Sequence, residues 1–306
     1  MKYPIHKDFW WMNYMHMSKN LSLLKIENWM LKIAYSLTSK GKGIIKRQIQ
    51  VKTRDNHNLQ VDLFYPKNKD TNSKGLLYLP GGGFIMRATH IHKINLCHLV
   101  RRTQSVGMMI HYRLAPKYPF PTALYDAIDV LNYIHTNALS LGLNSDLLGI
   151  GGDSAGGNLA CGLALYNQDY LHIPIKTLML VYPGLVKGQS TPSRKNYTDT
   201  PMFNASMFPL IEKVYYKNGT LDLEHYAFPM EHPNIHSLGS VYIETAEYDC
   251  LVDEGLMFHD RLVKLNISST LHATKGTVHG YDVVQRSQIT KESISKRCEF
   301  INNHLK

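Results

Sequence analysis

The chain has 306 residues, of which 44% are hydrophobic and 19% charged. That composition excludes a disordered or fibrous polypeptide and leaves room for one large α/β domain or two ordinary ones. The formal net charge is +10, but the lysines and arginines are scattered, so the excess reads as a solvated basic surface and not as a nucleic-acid-binding tract.

Residues 1–44 differ from the rest and are rich in Met, Trp and Tyr. Leu23, Ile26, Met30, Ile33 and Leu37 recur at helical spacing and form one apolar stripe. Such a stripe suits either an interfacial membrane helix or a helix packed on the main body. The second is expected, which makes this region an N-terminal helical cap segment. Lys25, Glu27 and Lys32 interrupt the stretch 21–37, which excludes a membrane span. Charged and polar residues break every apolar run before Met30, so no signal peptide is expected. The four cysteines, at 97, 161, 250 and 298, show no C-x-x-C spacing. Together these features predict reduced thiols, a cytoplasmic location and no stable membrane anchor.

Residues 45–306 carry a different period. Residues 49–53 and 59–63 alternate as half-buried strands, and Arg54–Asn58 supplies the turn of a hairpin. Short apolar strands follow at 75–79, 107–111, 146–151, 176–181, 239–244 and 268–273. Helices are expected near 91–104, 122–137, 155–168, 254–265 and 286–304. This alternation predicts an α/β fold with a mostly parallel sheet covered on both faces. Residues 185–230 break it: they are rich in Pro, Tyr, Phe and Met without a clear strand, and read as an insertion with its own short helices.

The chemistry centres on Gly152-Asp153-Ser154-Ala155-Gly156, which follows an apolar strand and opens a helix of small residues. A G-x-S-x-G sequence in that setting is a nucleophile elbow; alone it is often an ordinary turn. A serine hydroxyl needs a base, usually His, and that His needs an acid to fix its tautomer. The elbow predicts the chain order Ser, acid, His. Strand 239–244 runs toward Glu247, Asp249 and Asp253, and strand 268–273 toward His279. Asp249 is the favoured acid, with Glu247 and Asp253 competing; Asp253 and Glu254 also suit the first turn of a helix. Any one of 16 histidines is weak evidence, but His279 has the right order and a strand-end position. Pro80-Gly81-Gly82-Gly83-Phe84 follows strand 75–79. Its three glycines let backbone N–H groups approach a substrate carbonyl, as an oxyanion loop requires.

The chain resembles the hormone-sensitive-lipase-like branch of the α/β-hydrolases. The resemblance rests on Gly81-Gly82-Gly83-Phe84, on Tyr112-Arg113-Leu114-Ala115-Pro116 followed by Tyr118-Pro119-Phe120-Pro121, on Gly152–Gly157, on Asp249–Gly255 and on His279-Gly280-Tyr281. It implies Ser154 as nucleophile, His279 as base and Asp249 as orienting acid. It also implies oxyanion donors at the backbone N–H of Gly82, Gly83 and Ala155, with Phe84 as a candidate substrate contact. It further implies a helical cap built from the N-terminal segment and the insertion near 185–230. The implied activity is hydrolysis of short-chain carboxylic esters through an acyl-enzyme, with a small-molecule ester as substrate and no metal or organic cofactor. The alternative is a non-catalytic, receptor-like binding protein on the same scaffold. The Tyr-Arg-Leu-Ala-Pro segment reads as structural, and an exposed edge strand would permit a homodimer. The chain departs from the family pattern at Pro80, where His is usual, and at Cys250, where Pro is frequent.

Overall fold

The computed structural model describes residues 3–67, 72–188 and 191–306. In chain order its principal elements are α1 (Leu21–Leu37), β1 (Ile44–Lys52), β2 (Asn58–Pro66), β3 (Ser73–Leu79), α2 (His90–Thr103), β4 (Val106–Ile110) and α3 (Thr122–Thr136). Next come β5 (Leu143–Asp153), α4 (Ala155–Tyr166) and β6 (Ile175–Val181), then the short helices α5 (Pro192–Asn196), α6 (Phe208–Val214) and α7 (Glu224–Ala227). The chain closes with β7 (Ser240–Tyr248), α8 (Val252–Lys264), β8 (Ser269–Val278) and α9 (Gln288–His304).

The strands form one eight-stranded sheet in the order β1-β2-β4-β3-β5-β6-β7-β8. β1 and β2 form the expected antiparallel hairpin, and β2 pairs antiparallel with β4. Every pairing from β4 through β3 to β8 is parallel. The continuous apolar runs of β3, β4, β6 and β7 have a direct cause: these strands are buried on both faces, unlike the edge strand β8. In β3, Leu77 and Leu79 face one core while Leu76 and Tyr78 face the other. In β6, Leu178 and Leu180 are divided in the same way from Met179 and Val181.

Several strands run past their expected ends: β1 begins at Ile44 and β2 reaches Pro66 in the hairpin, and three parallel strands do the same. β5 begins at Leu143, β7 reaches Tyr248 and β8 reaches Val278. The extension of β8 crosses Lys275 and Gly276, where apolar alternation is lost. Ladder bonds to β7, and the Gly276 N–H donating to Glu247 Oε2 at 2.6 Å, hold it instead. Between β6 and β7 the described residues form short helices and no strand of the sheet, as their composition predicts.

The stripe on α1 requires a correction. The helix does pack on the body, but through Leu24, Asn28 and Tyr35. Leu23, Ile26, Met30, Ile33 and Leu37 point outward. Polar anchors fix that rotation. The Asn28 side chain donates to Ile85 O and accepts from Arg87 N–H, both at 2.8 Å, and the Tyr35 hydroxyl donates to buried Asp62 at 2.7 Å. Apolar periodicity identified the helix but not the face that the anchors select. Among the described residues, no helix is long and apolar enough to cross a membrane.

Candidate active site

The carboxyl ends of β3, β5, β7 and β8 meet at one edge of the sheet, where open α/β sheets bind ligands. Ser154 stands between β5 and α4 with φ 55° and ψ −123°, the strained conformation of a tight elbow. Its N–H donates to Val181 O at 2.8 Å, which ties the elbow to the end of β6. The turn depends on bare backbone: a Cβ on Gly156 would lie 2.0 Å from Leu79 O.

His279 follows β8, and its Nε2 lies 2.8 Å from Ser154 Oγ. Its Nδ1 lies 2.7 Å from Asp249 Oδ2. A carboxylate only accepts hydrogen bonds, so Nδ1 carries the ring proton and Nε2 is left to accept from the serine hydroxyl. Asp249, just after β7, is fully buried and also accepts from the Leu251 N–H at 3.0 Å. The rings of Tyr182 and Phe203 pack on the imidazole with centroids at 4.8 and 5.1 Å. The rival acids are occupied elsewhere. Glu247 holds the Gly276 N–H, and Asp253 accepts from the Ser193 N–H at 2.6 Å at the start of α5. Cys250 is buried beside Asp249, and burial pushes its thiol pKa well up, so it stays neutral.

The glycine loop lies against the elbow. Met86 N–H and Ile85 N–H donate to Gly82 O at 2.8 and 3.1 Å. Gly83 borders the same two cavities as Ser154. Ala155 is the first residue of α4, where a backbone N–H has no intrahelical partner. Phe84 stacks on Tyr215 of the segment following α6, with ring centroids 3.9 Å apart and planes 5° from parallel.

With proline at position 80, the loop is braced by other groups. The Tyr112 hydroxyl donates to Pro80 O at 2.6 Å, and the Ala115 N–H donates to Phe84 O at 3.0 Å. The Tyr-Arg-Leu-Ala-Pro segment therefore supports the loop from outside. It is held in turn by Arg113, which bonds both Asp126 and Asp55. Inside, the buried Asp153 accepts from the Gly81 N–H, from Tyr78 Oη at 2.7 Å and from His92 Nε2 at 3.0 Å. His92 Nδ1 accepts from the Thr89 N–H at 2.8 Å, which places its ring proton on Nε2. Burial opposes the charged form of Asp153, yet the facing His92, Tyr78 and Gly81 donors hold its pKa below the usual carboxylate range. A Cβ on Gly81 would sit 2.3 Å from Asp153 Oδ2. Sequence reasoning placed Asp153 only as a letter of the motif and missed His92, which nothing sets apart from the other histidines.

A second buried network fixes the turn after His279. Arg297 of α9 pairs with Glu244 of β7 and with Asp282, the latter at 3.0 Å. Tyr281 Oη donates to Glu244 at 2.6 Å, and Tyr182 Oη donates to Asp282 at 2.8 Å.

Ser154 borders two cavities. One, of about 420 Å³, has walls from Phe84, Phe203, Phe208, Ile211, Tyr216 and Phe228. The other, of about 140 Å³, is bordered by His279, Met17, Met86 and Tyr182. Among the described residues, no group of three or more His, Cys, Asp or Glu is arranged to hold a metal ion.

Residues 76–283 match the family model described as alpha/beta hydrolase fold. Esterase LipI of Mycobacterium tuberculosis is 29% identical over 209 residues, covering 67% of this chain and 65% of that protein's own length. Ethyl acetate hydrolase of Pseudomonas putida is 29% identical over 253 residues, covering 80% of this chain and 77% of that one. Among solved structures, a bacterial heroin esterase superposes with TM-score 0.90 at 25% identity, covering 99% of this chain and 98% of its own. Esterase LipW from Mycobacterium marinum superposes with TM-score 0.91 at 24% identity, covering 98% and 96%, which speaks for the fold alone. The family match spans more than half of the chain and contains the glycine loop, the elbow, Asp249 and His279. The chain belongs to the α/β-hydrolase family, in its hormone-sensitive-lipase-like esterase branch.

Proposed function

We propose that the protein is a serine carboxylic ester hydrolase acting on small esters with short acyl chains. The observation that carries this reading is the unbroken contact from Ser154 Oγ to His279 Nε2 at 2.8 Å and from His279 Nδ1 to Asp249 at 2.7 Å. In the proposed cycle, Ser154 attacks the ester carbonyl while His279 takes its proton, and Asp249 stabilises the imidazolium. The backbone N–H groups of Gly82, Gly83 and Ala155 hold the oxyanion. His279 then protonates the departing alcohol. Water, deprotonated by His279, attacks the acyl-enzyme, and the carboxylic acid leaves Ser154 as it was.

Because the alcohol must receive its proton from His279, it leaves by the cavity that His279 borders. The acyl group occupies the aromatic cavity, where Phe84 is a wall. At about 420 Å³ that space suits a small ester and not a triglyceride. The names of the ethyl acetate hydrolase and the heroin esterase point to compact esters of this kind. The N-terminal segment and the short helices between β6 and β7 act in this reading as a cap, since Met17 and Phe208 border the cavities. The four cysteines are buried free thiols, which suits a reducing compartment such as the cytoplasm. The intact contact among Ser154, His279 and Asp249 favours catalysis over the receptor-like alternative.

The test compares wild type with Ser154→Ala on p-nitrophenyl acetate, butyrate and octanoate. Turnover by wild type that falls with chain length and vanishes in the variant supports the proposal. Equal background rates for both proteins refute it.

A further inference from the structure

The outward face of α1 is unlike the rest of the described surface. Leu23, Ile26, Trp29, Met30, Ile33 and Leu37 all stand exposed, Trp29 by 63% and Leu37 by 80%. Trp11, earlier in the same segment, is 41% exposed. Scattered surface apolar residues need no explanation, but a continuous stripe does. Nor is the stripe the result of a loosely seated helix, because Asn28 and Tyr35 lock its rotation through hydrogen bonds to the main body.

The charge around the stripe narrows what can cover it. Residues 1–44 contain seven lysines against Asp8 and Glu27, so half of the chain's net charge of +10 lies in this segment. Lys25 and Lys32, one heptad apart, run along one flank of the stripe. A second copy placed face to face would bring two such positive segments together with little acid to offset them. An anionic bilayer instead meets both features: apolar side chains enter the acyl boundary while flanking lysines reach the headgroups. Tryptophan at positions 11 and 29 adds the side chain most suited to that boundary. α1 has 17 residues with charges within it, so it lies in the interface and does not cross.

We propose that the exposed stripe of α1 is a reversible docking surface for an anionic lipid bilayer. Asn20 caps α1, and Met17, three residues earlier, borders the cavity beside His279. A docked molecule would thus hold one cavity close to the lipid phase in which apolar small molecules concentrate. The docking itself is independent of the reaction, and its test uses no ester.

Binding is measured by co-sedimentation and tryptophan emission with vesicles of phosphatidylcholine, alone or with about 30% phosphatidylglycerol. Wild type should bind the anionic vesicles at ~0.1 M salt with a blue shift in emission, and about tenfold less tightly at ~0.5 M. The variant Ile26→Ser/Trp29→Ser/Met30→Ser/Ile33→Ser should lose about tenfold or more in affinity. Lys25→Glu/Lys32→Glu should weaken binding by a similar factor only on the anionic vesicles. Circular dichroism melts establish that both variants are folded. No binding by wild type, or equal binding by the serine variant, overturns the proposal. A wild-type dimer in light scattering that the serine variant converts to monomer, without vesicle binding, also overturns it and assigns the face to a second copy.

Discussion

Replacing Asp153 by Asn tests whether the acid inside the elbow holds the glycine loop in place. Asp153 accepts three hydrogen bonds, from Gly81 N–H, Tyr78 Oη and His92 Nε2, and is 5% exposed. An asparagine can keep its oxygen toward Gly81 and His92 and turn its amide toward Tyr78, whose hydroxyl can reverse and accept. The reversed Tyr78 O–H then loses the acceptor that Asp153 supplied in a buried setting, which adds to the cost. What is lost is the charge assistance, worth about 1 kcal/mol on each of the bonds, partly offset because a neutral amide is cheaper to bury. The expected destabilisation is therefore about 2–3 kcal/mol in urea unfolding at neutral pH. The sign with pH follows from the direction of the shift. The native pKa lies below the unfolded value, so the difference between wild type and variant is full above about pH 4 and fades as acid protonates the native carboxyl. Losing one oxyanion donor outright costs about 10²–10³ in kcat, so a loosened loop should cost about tenfold, with KM nearly unchanged. Tyr78→Phe is the control. It removes the bond at Oδ1, leaves the one to Gly81, and should cost about 1 kcal/mol of stability with little loss of kcat. If Asp153→Asn loses stability while kcat stays within about twofold of wild type, the acid is structural only and the argument for loop control fails.

Asp249→Asn should lower kcat on p-nitrophenyl butyrate by about 10⁴ with the melting temperature nearly kept, because the amide favours the wrong imidazole tautomer. A loss below about tenfold would remove Asp249 from the acid role. Arg297→Ala leaves Glu244 and Asp282 as buried carboxylates without their shared cation, and chemical denaturation should show a loss of about 3–5 kcal/mol. Gly156→Ala drives a methyl group into Leu79 O, and its soluble yield should collapse; a folded variant with wild-type kcat would contradict the elbow packing. Pro80→His should change kcat, since it frees φ at 80 and adds a backbone N–H beside the glycine loop; an unchanged kcat would mean that the bonds from Tyr112, Met86 and Gly81 already fix the loop.

The elements most legible in the sequence were those with a local cause. The two-sided burial of β3 through β7 writes continuous apolar runs, and the elbow writes its glycines, so the candidates Ser154, Asp249 and His279 follow from strand ends and motif order alone. The choice of Asp249 over Glu247 and Asp253 was less local. Glu247 and Asp253 bond instead to Gly276 and Ser193, contacts that no local pattern announces. Long-range polar contacts left no trace in the pattern. His92 reaches Asp153 across 61 positions and Arg297 reaches Glu244 across 53. The error at α1 has the same origin. The apolar stripe predicts a buried face, yet Asn28 and Tyr35, bonded to Ile85, Arg87 and Asp62, turn the helix the other way.

The stacked rings of Phe84 and Tyr215 join two parts of the protein with different duties. Phe84 continues directly from Gly83, whereas Tyr215 belongs to the segment that walls the larger cavity, and its carbonyl also accepts from the Phe120 N–H at 2.8 Å. In the proposed reading, the wall of the larger cavity and the glycine loop are therefore mechanically linked. A change that displaces Tyr215, next to the cavity-lining Tyr216, disturbs the ring stacked on Phe84 and with it the backbone beside the glycine loop. If the proposed reading holds, a variant that admits bulkier esters through this wall should turn over more slowly until the loop is re-braced from the Tyr112 side.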